Sequence, residues 1–193
     1  MNQNMEQIQY ITRYYGMLQG LKALPFGLLV IALAMRDMGA SGVATVLLLA
    51  ALVLFSVTGR YYAKHYGSVK VHSRSAAIRE TVIFLLVAVI VIVMENMLLF
   101  PFSLIGTGVA VIFFVLGIKM KTYYYLPLGG ILLIVSFLPW VLGVPLTDRM
   151  YGSLGFVLSM TIGAVIIIAG LLDHLRLVRA MKSISGGLNG ESH

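Results

Sequence analysis

The side chains that could bind a metal or move a proton are few and widely spaced. His65 and His72 share one polar segment, His174 follows Asp173, and His193 is the last residue. The spacing of His65 and His72 fits neither the i, i+4 geometry that puts two imidazoles on one helix face nor a zinc-finger pattern. Asp173 and His174 set an acid beside an imidazole, the raw material of general acid–base chemistry. Adjacent residues on a helix do not face each other, so the two form no dyad, and the pair reads as a solvated helix end.

No G-x-S-x-G, G-x-x-x-x-G-K-[ST] or G-x-G-x-x-G pattern occurs, and no serine has an identifiable base partner. Cysteine is absent, which excludes thiolate nucleophiles, disulfides and thiolate metal sites. The expectation is a protein that is not an enzyme and uses no cofactor or metal.

Glu95 is the one acidic residue inside a long apolar run. It lies about 21 Å along a helix that starts at residue 81, at about 1.5 Å per residue. Two readings stay open. If the helix runs to Phe100, Glu95 is an intramembrane acidic site. It then faces the bundle or a water-filled cavity and can take up a proton or a cation, because a lipid-facing carboxylate is costly. If the helix ends near Val93, Glu95 and Asn96 lie in the outer headgroup region and 97–102 is a turn.

These residues are carried by an unusually apolar chain. Hydrophobic residues make up 60% of it and charged ones 11%, with a mean hydropathy of +0.96. A soluble domain is usually about a quarter charged, so this composition suits a surface that faces lipid. The net charge of +7 does not point to nucleic acid. The basic residues fall in short segments between apolar runs, where they set membrane orientation. The first 20 residues are polar and rich in tyrosine, so no signal peptide is expected and the first apolar segment is retained.

A bilayer-spanning helix needs about 20 apolar residues. That length gives six spans, at about 20–35, 41–58, 81–100, 102–118, 126–142 and 155–172. The fold class expected is all-α, a polytopic transmembrane bundle. It divides into a cytoplasmic interfacial segment (1–19), a six-helix domain (20–172) and a cytoplasmic tail (173–193). Alternate segments hold twelve and two of the 14 Lys and Arg residues. The sparse set is Arg36 and Arg149. This asymmetry predicts that both termini are cytoplasmic.

Further expectations attach to particular segments. Met5, Ile8, Ile11, Tyr15 and Leu18 have helical spacing, which predicts an amphipathic helix lying in the membrane interface. The clusters Tyr14-Tyr15, Tyr61-Tyr62 and Tyr123-Tyr124-Tyr125 read as an aromatic belt, with Trp140 anchoring the other side. The stretch 59–80 reads as a basic cytoplasmic loop carrying Arg60, Lys64, Lys70, Arg74 and Arg79. It docks onto anionic headgroups or a partner protein, or merely fixes topology. Gly155, Ser159 and Gly163 form a small-residue face for helix packing, within the bundle or between copies. Gly106 and Ala110 repeat this more weakly.

The functional expectation is a multi-pass cell-membrane protein, a non-enzymatic subunit that works with membrane or cytoplasmic partners, in transport. The alternatives are a self-contained small transporter or channel, for which Ser136, Ser159 and Thr161 are the central polar residues, and a lipid-modifying enzyme.

Overall fold

The computed structural model describes residues 3–66, 86, 90, 102–143 and 152–190, with side chains described between 9 and 183 of these. The described residues are 90% helical and include no strand. The elements are α1 (Gln3–Leu18), a 3-10 turn (Gly20–Ala23), α2 (Leu24–Asp37), α3 (Ser41–Tyr66), α4 (Leu104–Lys119), α5 (Tyr125–Val141) and α6 (Ser153–Gly190). Among the described residues, three stretches are long and apolar enough to cross a membrane, Gln9–Asp37, Ser41–Tyr66 and Ser153–Ser183. Two shorter apolar helices, Leu104–Lys119 and Tyr125–Val141, accompany them.

The start and stop signals are local. Pro25 lies at the first positions of α2, where its missing N–H removes no intrahelical bond. Ser103 caps α4, its hydroxyl accepting the Gly106 N–H at 3.1 Å. α2 ends on Gly39, at φ 81, with the Gly39 and Ala40 N–H groups returning to the carbonyls of Arg36 and Met35, both at 2.9 Å. That is a Schellman closure, whose left-handed position glycine occupies without a Cβ penalty.

Three expectations are corrected. First, Arg60 and Lys64 are not in a loop. α3 continues through Tyr66, because no glycine or proline interrupts 60–66 and Tyr62, 1% exposed, packs this last part against the bundle. Second, α6 does not stop near residue 172. It runs on as one helix through Gly190, 38 residues and so about 57 Å at about 1.5 Å per residue. The fully buried Leu177 fixes the extension. Third, α1 packs on protein. Its helix is present, but Ile11, Tyr14, Tyr15 and Leu18 are buried in the common core with Leu177 and Met120. The apolar face that suggested the membrane interface is used against α6.

α6 is the central post, touching α1, the 3-10 turn, α2, α4 and α5. Close approach is made possible by glycine pairs. A Cβ on Gly163 would lie 2.8 Å from the Gly27 carbonyl oxygen, and one on Gly27 would lie 2.7 Å from that of Gly163. Gly20 and Gly170 meet in the same way, backbone to backbone. α4 and α5 cross at Gly106 against Ser136 and at Gly129 against the Ala110 carbonyl. Small residues at such crossings replace the hydrophobic drive that lipid cannot supply.

Candidate functional site

A group of side-chain hydrogen bonds between different helices gathers at one end of the bundle, where α3 and α4 finish, α5 begins and α6 leaves the apolar core. Asp173 is the centre. It is 4% exposed, although it lies on a helix whose neighbours Leu171, Leu172, Leu175 and Leu177 are all apolar. A buried carboxylate must be hydrogen-bonded to persist. Tyr124 donates its hydroxyl to Oδ1 of Asp173, and Tyr125 donates to Oδ2. The two phenols are consecutive at the start of α5, with ring centroids 5.0 Å apart, so one turn of backbone delivers a donor to each oxygen. Burial pushes the Tyr124 phenol well above its ordinary value, and the hydrogen bond it donates to the Asp173 carboxylate adds to this.

One helical turn on, the Arg176 guanidinium donates to Oγ1 of Thr122 and lies 4.9 Å from the Tyr10 ring centroid. Tyr10 donates to the Met120 carbonyl at 3.1 Å, and Tyr14 to the Lys119 carbonyl at 2.9 Å. α1, the α4–α5 turn and α6 are thus tied by one continuous polar network.

His174 points away from Asp173 and enters a second knot. Its Nδ1 is 3.0 Å from the Tyr62 hydroxyl, which also accepts the Leu21 N–H at 3.1 Å. Tyr61, Tyr62 and Tyr66 pack edge to face or tilted around this point, with centroids 5.4 to 6.1 Å apart. Neighbouring residues of α6 therefore clasp different helices, Asp173 holding α5 and His174 holding α3.

No family model, no curated protein and no solved structure matches this chain.

The residues singled out from sequence fall in different places. Gly163 lies on the α2 crossing. Gly155 and Ser159, with Ala34, Asp37, Met38 and Phe156, line a crevice of about 20 Å³ at the opposite end, room for about one water molecule. Arg60 and Lys64 are exposed on α3. Lys70, Arg74, Arg79, Glu95, His72 and His193 lie outside the described residues. Ser136 is fully buried and donates to the Leu132 carbonyl at 2.6 Å. Among the described residues no group of three His, Cys, Asp or Glu side chains could hold a metal ion, and no buried side-chain polar atom lacks a partner.

Two corrections follow from this geometry. The turn of α6 at Asp173 is not solvated, because Tyr124 and Tyr125 at the start of α5 cover it. Nor are the tyrosine clusters only a belt at the membrane surface. Tyr14, Tyr15, Tyr62 and Tyr125 are buried, and of the third cluster only Tyr123 faces outward, at 84% exposure. The sequence carries no local signal for this: an acid three residues before an arginine on a helix equally suits an exposed pair, and the donors come from distant residues.

Proposed function

We propose that this is a multi-pass protein of the cell membrane with six spans and both termini cytoplasmic. It acts as a non-enzymatic membrane subunit that works with membrane or cytoplasmic partners in transport. The observation that carries the reading is the gathering of cations at one end. Arg13, Lys22, Arg60, Lys64, Lys119, Lys121, Arg176 and Arg179 belong to the end that holds Asp173, whereas Arg36 is ion-paired with Asp37 at the other, at 3.5 Å. Positive charge collected at one end of a set of apolar helices is the pattern that marks a cytoplasmic face.

The chain path supports six spans. α3 finishes at the basic end, beside His174, and α4 starts at the opposite end, where the Ser103 N–H donates to the Ser136 carbonyl at 3.1 Å. The span expected at 81–100 lies outside the described residues; with it the proposed number of crossings is even, which would return both termini to one side.

The subunit reading draws on how the polar groups are used. Asp173, His174, Tyr62, Tyr124 and Tyr125 hold helices together. A self-contained transporter would need polar groups along a path at mid-membrane, and Ser136 is instead buried against Gly106. The test is capture of the tagged full-length chain in mild detergent. The expected result is stoichiometric recovery of a defined partner, such as an ATPase whose nucleotide hydrolysis can be measured. Recovery of a lone oligomer of this chain would overturn the subunit reading.

A further inference from the structure

The turn between α4 and α5 alternates strictly in exposure. Lys119, Lys121 and Tyr123 face outward, and Met120 and Thr122 are buried. The inward half is fixed at three points: the Tyr14 hydroxyl on the Lys119 carbonyl, the Tyr10 hydroxyl on the Met120 carbonyl, and Arg176 on Thr122. The outward half therefore springs from a backbone tied at three points, which lowers the ordering cost of binding a ligand there.

Lys121 is in the left-handed region, at φ 50. Its N–H returns to the Ile118 carbonyl at 3.3 Å and that of Thr122 to the Gly117 carbonyl at 2.9 Å. This is the Schellman closure that α2 makes with Gly39. A Cβ is disfavoured in this position, and glycine would relieve the strain. Positive-inside topology accounts for a lysine somewhere in the turn, and helix-end electrostatics account for Lys119. Neither explains a lysine at the one position where it is strained, which points to a use for that ammonium group.

The surroundings define what it would meet. The Arg13 guanidinium lies 5.7 Å from the Tyr14 ring centroid, on the residue that holds Lys119. Among the described side chains, the carboxylate at this end is Asp173, and it is buried against Tyr124 and Tyr125. Ile118, 74% exposed, and Tyr123, 84% exposed, flank the lysines with apolar and amphipathic surface. The turn also joins two apolar helices of 16 and 17 residues, which brings it to the level of the membrane surface.

We infer that Lys119, Lys121 and Tyr123 form a binding surface for the headgroup of an anionic phospholipid, the ammonium groups meeting the phosphate while Ile118 and Tyr123 lie against glycerol and acyl chain. This rests on the reading that α4 and α5 cross the membrane with the basic end cytoplasmic. A soluble anion would engage the lysines alone and leave Ile118 and Tyr123 without a role, so lipid is the ligand that uses the whole surface.

The test is native mass spectrometry of the full chain in neutral detergent, with phosphatidylglycerol and phosphatidylcholine supplied in equal amounts. The protein should retain phosphatidylglycerol selectively. Lys119→Gln and Lys121→Gln should each lower the selectivity about five-fold, and the double variant about thirty-fold. Arg36→Gln, at the other end, should leave it unchanged. Lys121→Gly separates the charge from the fold, because glycine suits the left-handed position: the thermal midpoint should hold or rise while selectivity still falls about five-fold. The inference is overturned if the unmodified protein shows no preference, if the double variant keeps it, or if free glycerol phosphate at the same concentration displaces the lipid. Binding in detergent is blind to orientation. Labelling of Tyr123→Cys from outside intact cells would overturn the cytoplasmic assignment alone.

Discussion

Tyr62 on α3 and His174 on α6 share a hydrogen bond of 3.0 Å across 112 residues of sequence. The phenol has one proton and two lone pairs, so it can satisfy both His174 and the Leu21 N–H in either tautomer of the imidazole. Tyr62→Phe and His174→Ala should therefore be coupled. A double-mutant cycle on thermal stability in detergent should give about 0.5–1.5 kcal/mol of interaction. Strictly additive effects would mean that the contact contributes nothing.

Asp173 should be costly to remove. Asp173→Ala leaves two phenolic donors, on the half-buried Tyr124 and the buried Tyr125, without their acceptor. Each orphaned group costs about 1–3 kcal/mol. Tyr125→Phe removes one donor and should cost about half as much. The check is the thermal midpoint of each variant, with the order wild type, Tyr125→Phe, Asp173→Ala. A Tyr125→Phe variant less stable than Asp173→Ala would contradict the clasp.

The glycines should separate into two classes. Gly20→Ala sets a methyl group onto the Gly170 carbonyl, backbone against backbone, and Gly163→Leu forces α6 away from α2. Both should lower the midpoint by many degrees or prevent folding. Gly108→Ala and Gly130→Ala meet nothing within 4 Å, and removing a helical glycine stabilises by roughly 0.5–1 kcal/mol. Equal effects in the two classes would remove the close crossings as the basis of packing.

Topology has its own readout. Reporters fused after Arg74 and at the C-terminus should report cytoplasm, and reporters near Gly39 and Thr147 the exterior. A cytoplasmic signal near Thr147 would overturn the six-span reading.

Glu95 is open to direct chemical test because the chain has no native cysteine. If it is an intramembrane acidic site, Glu95→Cys should be protected from a membrane-impermeant thiol reagent and Glu95→Gln should alter stability or activity. Rapid labelling from outside, together with unchanged stability of Glu95→Gln, would assign it to the outer surface.

What the sequence determined by itself is the helical, lipid-compatible character of the chain. Continuous apolar runs, Pro25 at the start of α2 and Gly39 at its end are local properties, and they act through local physics: backbone satisfaction within each helix and the rigid or permissive dihedrals of proline and glycine. The tertiary structure decided how the polar residues are used. Asp173 and His174 read as a solvated pair because adjacency on a helix says nothing about what approaches from elsewhere. Only the packing of α5 against α6, and of α3 against α2 and the 3-10 turn, brings Tyr124, Tyr125 and Tyr62 to them, across separations of 49, 48 and 112 residues. The same holds for helix length. Hydropathy ends α3 and α6 where the apolar run ends, but Tyr62 and Leu177 are buried beyond that point, so burial against other helices carries both helices further than their composition alone would.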